Sequence, residues 1–217
     1  MAIRLAPALL ARAYDLLYGR LAWTYDAVAW AVSLGQWRAW GAAALPYLTG
    51  PRVLELGHGP GHMLVALAEH GFAPVGLDLS PQMSRLAGRR QPAARLVRGR
   101  AQTAPFAAAS FDSALATFPT PYIVAPETAA AVFGLLRPGG RLIMVPEARL
   151  GGRGPRRALI DWLYAVTEQR WPASENPAAR LAYWQATLAP AGFRVTFHEA
   201  AVAESAVIVI VAERPAS

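Results

Sequence analysis

Three glycines at alternate positions, Gly57, Gly59 and Gly61, follow a short apolar run, Arg52 to Leu56, whose single acid is Glu55. Asp78 stands twenty-one residues beyond Gly57, at the end of a second apolar run, Pro74 to Leu77. A strand, a glycine turn, a helix and a second strand ending in an acid make a mononucleotide-binding βαβ unit. Glycine lets the backbone turn tightly and approach a ligand that a Cβ would hold off. The acid is then placed to accept hydrogen bonds from ribose hydroxyls. Loops also hold glycine for turn geometry alone, but here the strand, the helix and the acid agree with the ligand reading.

The spacing discriminates among nucleotides. A dinucleotide fingerprint reads G-x-G-x-x-G, whereas this chain has Gly-x-Gly-x-Gly with His62 where the last glycine belongs. A P-loop ends in Gly-Lys-Ser/Thr, and the chain has no lysine. What remains, Glu55, Gly57, Gly59 and Gly61, resembles the E-x-G-x-G-x-G motif of the class I S-adenosylmethionine (SAM) methyltransferases.

Alternating elements must position these residues. Ser80-Pro81 caps and opens a helix carrying Met83, Leu86 and Ala87 at helical spacing. A third strand is expected over Arg95 to Arg98 and a buried fourth over Asp112 to Thr117. A helix follows over Pro126 to Leu136, stopped by Pro138-Gly139-Gly140. Arg141 to Val145 reads as a fifth strand; Phe193 to His198 and Ala206 to Ala212 read as a C-terminal antiparallel hairpin. Strands separated by helices imply a doubly wound parallel sheet. The resemblance extends over residues 50 to 212: Phe111-Asp112 looks like the family's F-D-x-apolar motif, and Leu136 to Leu142 like its L-R/K-P-G-G-x-apolar turn. It implies an α/β, Rossmann-like sheet of seven strands, mostly parallel, with residues 51–217 as the cofactor-binding core of a single domain.

Residues 1–50 carry Tyr25-Asp26, Ser33, Gly35, Arg38 and Trp40 in a Y-D-x6-S-x-G-x2-R-x-W spacing. This is similar to an N-terminal signature of the ubiquinone/menaquinone C-methyltransferases and related phospholipid N-methyltransferases. The resemblance implies a helical cover over the active site, with Tyr25 and Arg38 near the methionine carboxylate of the cofactor, which the planar guanidinium fork matches. Trp23, Trp30, Trp37 and Trp40 read instead as apolar packing on the core. The same resemblance implies cofactor contacts from His58, Leu79, Met83, Ala101, Gln102 and Thr117.

Two departures separate the chain from that group. Gly99-Arg100-Ala101-Gln102 lacks the acid that the family carries before this alanine, so adenine must be held by backbone groups, Gln102 and packing from Leu79 and Met83. After the fourth strand, Phe118-Pro119-Thr120-Pro121-Tyr122 replaces the Gly-Leu-Arg-Asn stretch of the quinone enzymes. The family therefore carries over and the substrate does not. A sulfonium methyl is already activated, so a base is needed only if the acceptor arrives protonated. Tyr122, His62 and Glu147 are the candidates; His62 is equally readable as packing, and Glu147 as a loop cap.

Composition bounds the remainder. The chain has 217 residues and a net charge of +7, all its basic residues being arginine. Arg85, Arg89, Arg90, Arg95, Arg98 and Arg100 form one cluster, and Arg149, Arg153, Arg156 and Arg157 another. Without a recognition module, these read as a solvated basic face rather than a nucleic-acid site. Zero cysteines exclude disulfides and thiolate metal sites and fit a cytoplasmic setting. No metal is expected, since His58 and His62 lack a third ligand nearby. No apolar run reaches membrane-span length, and no signal-peptide pattern opens the chain. Arg156 to Trp171 has apolar residues near helical spacing and suggests a lid within an insertion near 149–180. With the aromatic N-terminus, it suggests a small lipophilic acceptor met at an anionic membrane surface. Two other classes stay open: a non-catalytic SAM- or nucleic-acid-binding protein, and a nicotinamide oxidoreductase.

Overall fold

A computed structural model describes residues 22–150 and 176–216. Strands β1 (Arg52–Leu56), β2 (Ala73–Asp78), β3 (Arg95–Arg98), β4 (Phe111–Thr117) and β5 (Leu136–Val145) lie parallel in the order 3-2-1-4-5. The two central strands are buried along nearly their whole length, as parallel strands covered on both faces must be. Chain direction reverses at the far edge, where β8 (Ser205–Glu213) runs antiparallel to β5 and β7 (Arg194–Val202) pairs along the whole of β8.

An eighth strand, β6 (Ala148–Leu150), joins this sheet. It pairs with Ser205 to Val207 of β8, while β5 pairs with Ile210 to Glu213. Since β7 occupies the opposite edge of β8, β6 extends the line of β5 beyond a break at Pro146-Glu147. Ile208 N–H donates to the Glu147 carbonyl across that break at 3.0 Å. The sheet therefore has seven strand positions, the expected number, built from eight segments.

The helices between strands are α3 (His62–Glu69), α4 (Pro81–Arg90) and α5 (Pro126–Leu135), with α6 (Pro177–Leu188) before the hairpin. Two shorter helices precede the sheet, α1 (Tyr25–Ser33) and α2 (Trp37–Ala42). Core residues on one sheet face include Leu54, Phe111, Leu136 and Trp184; those on the other include Val53, Leu115, Ile143 and Trp40. The Leu136 to Gly140 turn enters β5 as an irregular stretch, because register with β4 jumps from Phe111↔Leu136 to Ser113↔Arg141.

Of the tryptophans expected to pack, Trp40 is fully buried and Trp37 lies against Phe118. Trp23 and Trp30 do not follow, being 75% and 65% exposed. The lid expected within 149–180, including Arg156 to Trp171, lies outside the described residues apart from its ends. Among the described residues no helix is long and apolar enough to cross a membrane.

Candidate functional site

The C-terminal ends of β1, β2 and β4 open onto a cavity of about 630 Å³, where ligands bind in open α/β sheets. Its wall contains Tyr25, Gly57, Gly59, Asp78, Leu79, Ala101, Gln102, Thr117 and Tyr122 from the sequence-derived set. A smaller cavity of about 30 Å³ adjoins it, sharing Tyr25, Gly57, Gly59, Thr117 and Phe118, and adds Arg38, Glu55, His58 and His62.

The glycine loop divides its labour. Gly59 has φ +52° and no atom within 4 Å of where a Cβ would stand, so open space faces it. Gly61 has φ +86°, but its constraint is internal: a Cβ there would lie 2.8 Å from the Ala87 Cβ. Gly61 lines neither cavity; it lets α3 approach α4. Asp78 holds the loop from the other side. One of its oxygens accepts from Gly59 N–H at 2.9 Å and the other from Ser80 N–H at 2.7 Å. A carboxylate has about four acceptor positions, so two remain for a ligand. Ser80 in turn caps α4, its hydroxyl accepting from Met83 N–H at 3.1 Å.

Glu55 is the most perturbed acid here. Burial, helped by the nearby Asp78 charge, pushes its carboxyl well above 4.5. Its Oε2 is buried without a hydrogen-bond partner among the described residues. His62 presents a second such atom: Nε2 pairs with Asp26 at 2.7 Å, while buried Nδ1 has no partner among the described residues. Burial pushes this imidazole below 6.5 against the pull of Asp26. A neutral ring donating from Nε2 leaves Nδ1 an acceptor. Glu55 and His62, whose Oε2 and Nδ1 lack partners among the described residues, thus line one small cavity alongside Arg38. That donor set fits an amino-acid end: acceptors for an ammonium, a guanidinium for a carboxylate.

Besides Gly61, the sequence-derived Met83 and Glu147 line neither cavity, and His58 serves the loop. Met83 is fully buried and lines neither cavity, so it supports α4 rather than packing on adenine. His58 is 3% exposed, its Nδ1 2.7 Å from the Gly59 carbonyl. Burial lowers its pKa below 6.5 although Asp78 opposes this. Its ring stiffens the loop from behind. Glu147 lines neither cavity and pairs with Arg149 at 3.3 Å, so it is not placed to act as a base. Tyr122 does line the large cavity, and its hydroxyl donates to the Leu56 carbonyl at 3.2 Å.

Several lining residues had no motif to announce them. Phe118 ends β4 in a left-handed conformation, φ +47°, unusual for an aromatic residue. Its ring centroid lies 4.0 Å from that of Trp37. Such strain collects at functional sites. Arg100, standing where the family's acid would be, lines the large cavity, as do Ser80 and Gln82.

A methyltransferase-domain family matches residues 53–140. A demethylmenaquinone methyltransferase of Beutenbergia cavernae is 35% identical over 170 residues, 75% of this chain and 70% of that protein. One from Renibacterium salmoninarum is 32% identical over 164 residues, 71% and 68% of the respective chains. Among solved structures, a SAM-dependent methyltransferase of Thermotoga maritima, described as a possible histamine N-methyltransferase, superposes with a TM-score of 0.62 at 19% identity. That match covers 92% of this chain and 98% of that one. The chain belongs to the class I SAM-dependent methyltransferases. It is an enzyme of that class, and S-adenosylmethionine is its cofactor.

Proposed function

We propose that the protein transfers the SAM methyl group to a small, neutral, lipophilic acceptor met at a membrane surface. The observation that carries this reading is the acceptor side of the large cavity. Phe118, Pro119, Thr120, Pro121 and Tyr122 form it without a formal charge, and among the described residues Asp78 and Arg100 are the only charged side chains lining the cavity. A charged acceptor would be left unpaired there, at a cost that a neutral one avoids. The demethylmenaquinone methyltransferases to which the chain is similar are named for an acceptor of this class.

The bound cofactor supplies an activated methyl that leaves a neutral thioether. The residues grip, align and exclude water. Asp78 holds the ribose hydroxyls with its remaining acceptor positions, and Gly59 leaves room beside them. Glu55 and His62 accept from the methionine ammonium, while Arg38 and Tyr25 take its carboxylate. Arg100, Gln102, Ala101 and Leu79 frame adenine in place of the missing acid. The N-terminal helices α1 and α2 act as the cover that carries Tyr25 and Arg38. Phe118 and the prolines restrict the acceptor to a near-attack pose, and orientation of this kind removes several kcal/mol of barrier. Tyr122 is our candidate to orient the acceptor, its hydroxyl oxygen receiving a hydrogen bond while its own proton points to the Leu56 carbonyl.

Calorimetric titration with SAM, S-adenosylhomocysteine and NAD tests the grip, and methyl transfer to a detergent-dispersed demethylmenaquinone tests the acceptor. Saturable SAM binding with no NAD binding is expected. Transfer only to charged, water-soluble amines would overturn the acceptor reading.

A further inference from the structure

Between Asp78 and Asp112 the chain contains no acid, yet it carries Arg85, Arg89, Arg90, Arg95, Arg98 and Arg100. All but Arg90 are exposed. Arg85 and Arg89 lie one turn apart on α4, and Arg95 and Arg98 end β3, the free edge of the sheet. Among the described residues no carboxylate stands within ion-pair distance of Arg85, Arg89 or Arg95. This charge is unspent within the fold.

Beside it lies an apolar stripe. Trp23, Ala27, Trp30 and Leu34 recur at spacings of four, three and four residues through α1 and its flanks, and all are exposed. The turn Ala22–Thr24 lies against α4. Arg90 of α4 pairs with Asp26 of α1 at 2.6 Å. Arg98 Nε donates to the carbonyl of Leu79, a half-exposed residue at the lip of the large cavity. Indole stripe, arginine edge and cavity mouth are neighbours.

We propose that α1 together with α4 and β3 is the face by which the protein docks on an anionic lipid bilayer, an inference that rests on the lipophilic-acceptor reading above. Arginines are drawn to anionic headgroups, and tryptophan settles at the boundary between headgroups and acyl chains. A nucleic acid would use the arginines and leave the stripe wet. A bilayer interface takes both and brings a lipid-dissolved acceptor to the cavity lip.

Sedimentation with vesicles of equal phosphatidylglycerol and phosphatidylcholine, against pure phosphatidylcholine, tests it. The wild type should pellet with anionic vesicles at low salt and be released by high salt. The triple variant Arg85→Gln, Arg89→Gln, Arg95→Gln should bind on the order of a hundredfold more weakly, at about tenfold or less per arginine. Trp30→Ser alone should weaken binding severalfold, which guards against misfolding of the triple variant. SAM affinity should stay unchanged in both, since none of these residues lines the cavities. Variants that pellet like the wild type would move docking to another face and leave the acceptor reading standing. A wild type that methylates a lipophilic acceptor in detergent yet stays in the supernatant, or that is retained by nucleic acid instead, overturns the docking proposal alone. Failure to methylate any lipophilic acceptor overturns the reading beneath it.

Discussion

Asp26 Oδ1 lies 2.7 Å from His62 Nε2, joining the first turn of α1 to the first residue of α3. The other oxygen of Asp26 meets Arg90 Nη2 at 2.6 Å, and Arg90 also donates to the Pro60 carbonyl. One exposed carboxylate therefore ties the helix bearing Tyr25 to both helices flanking the glycine loop.

The fold around this pair should lose stability in acid. Burial raises the Asp26 carboxyl, but His62 and Arg90 outweigh it and hold the group below 3.8. Burial lowers His62 below 6.5 although an ion pair with Asp26 would raise it. The two shifts are reconciled if His62 is neutral and donates to a carboxylate whose countercharge is Arg90. Both folded-state pKa values are depressed, so the unfolded chain binds more protons in acid. The His62 contribution is present above 6.5 and fades as pH falls below it; that of Asp26 is present above 3.8 and fades lower still. Thermal melts should show the wild type losing more stability between pH 7 and 5 than His62→Gln does. Asp26→Asn should weaken SAM binding a fewfold at pH 7.5, and unaltered affinity would dissociate the latch from the cofactor.

Glu55→Gln should separate stability from binding. A folded-state pKa raised above 4.5 means that the acid stabilises the apo fold less as pH climbs through that range. Replacing it should raise the melting temperature at pH 8, because the amide has no ionised form for burial and Asp78 to penalise. Affinity for SAM should fall at least tenfold, because the ammonium loses its carboxylate. Calorimetry in buffers of different ionisation enthalpy should record proton release by the wild type on SAM binding and none by the variant.

Asp78→Ala removes acceptors for ribose and for two backbone donors, Gly59 N–H and Ser80 N–H. Charge-assisted hydrogen bonds contribute about 1.5–3 kcal/mol each. SAM binding should weaken at least tenfold and hydrogen exchange at Gly59 should accelerate. Slow exchange with lost affinity would confine Asp78 to the ligand.

Gly61→Ala should destabilise the protein by about 1–3 kcal/mol, from its left-handed backbone and from overlap with Ala87. Ala87→Gly should not rescue it, because the Ala87 Cα, which glycine keeps, lies 2.9 Å from the same point. Urea midpoints check the loss; an unchanged midpoint in Gly61→Ala would mean that α3 and α4 do not touch there.

The βαβ unit was legible in the sequence because strand periodicity, glycine spacing and a terminal acid constrain one another. Strand β6 was not, since three residues after Pro146-Glu147 carry no periodicity. Glu147 looked like a cleft residue because its backbone follows β5, but backbone position does not say where a side chain turns, and this one turns to Arg149. Phe118 escaped because the conformation that qualifies it belongs to its φ angle. Asp26 escaped because a polar residue near a helix start is ordinary until His62 and Arg90, far along the chain, come to meet it.

The Tyr122 hydroxyl binds the last carbonyl of β1 and stands 3.0 Å from where a Gly57 Cβ would be. Acceptor wall and cofactor loop thus share a hinge pin, which limits how such an enzyme can diversify. If residues 118–122 form the acceptor wall as proposed, Thr120 and Pro121, less buried than Phe118 and Pro119, can change and retune what is methylated. A change at position 122 alters the glycine loop in the same stroke, so new acceptor preferences are expected to arise around this tyrosine rather than at it.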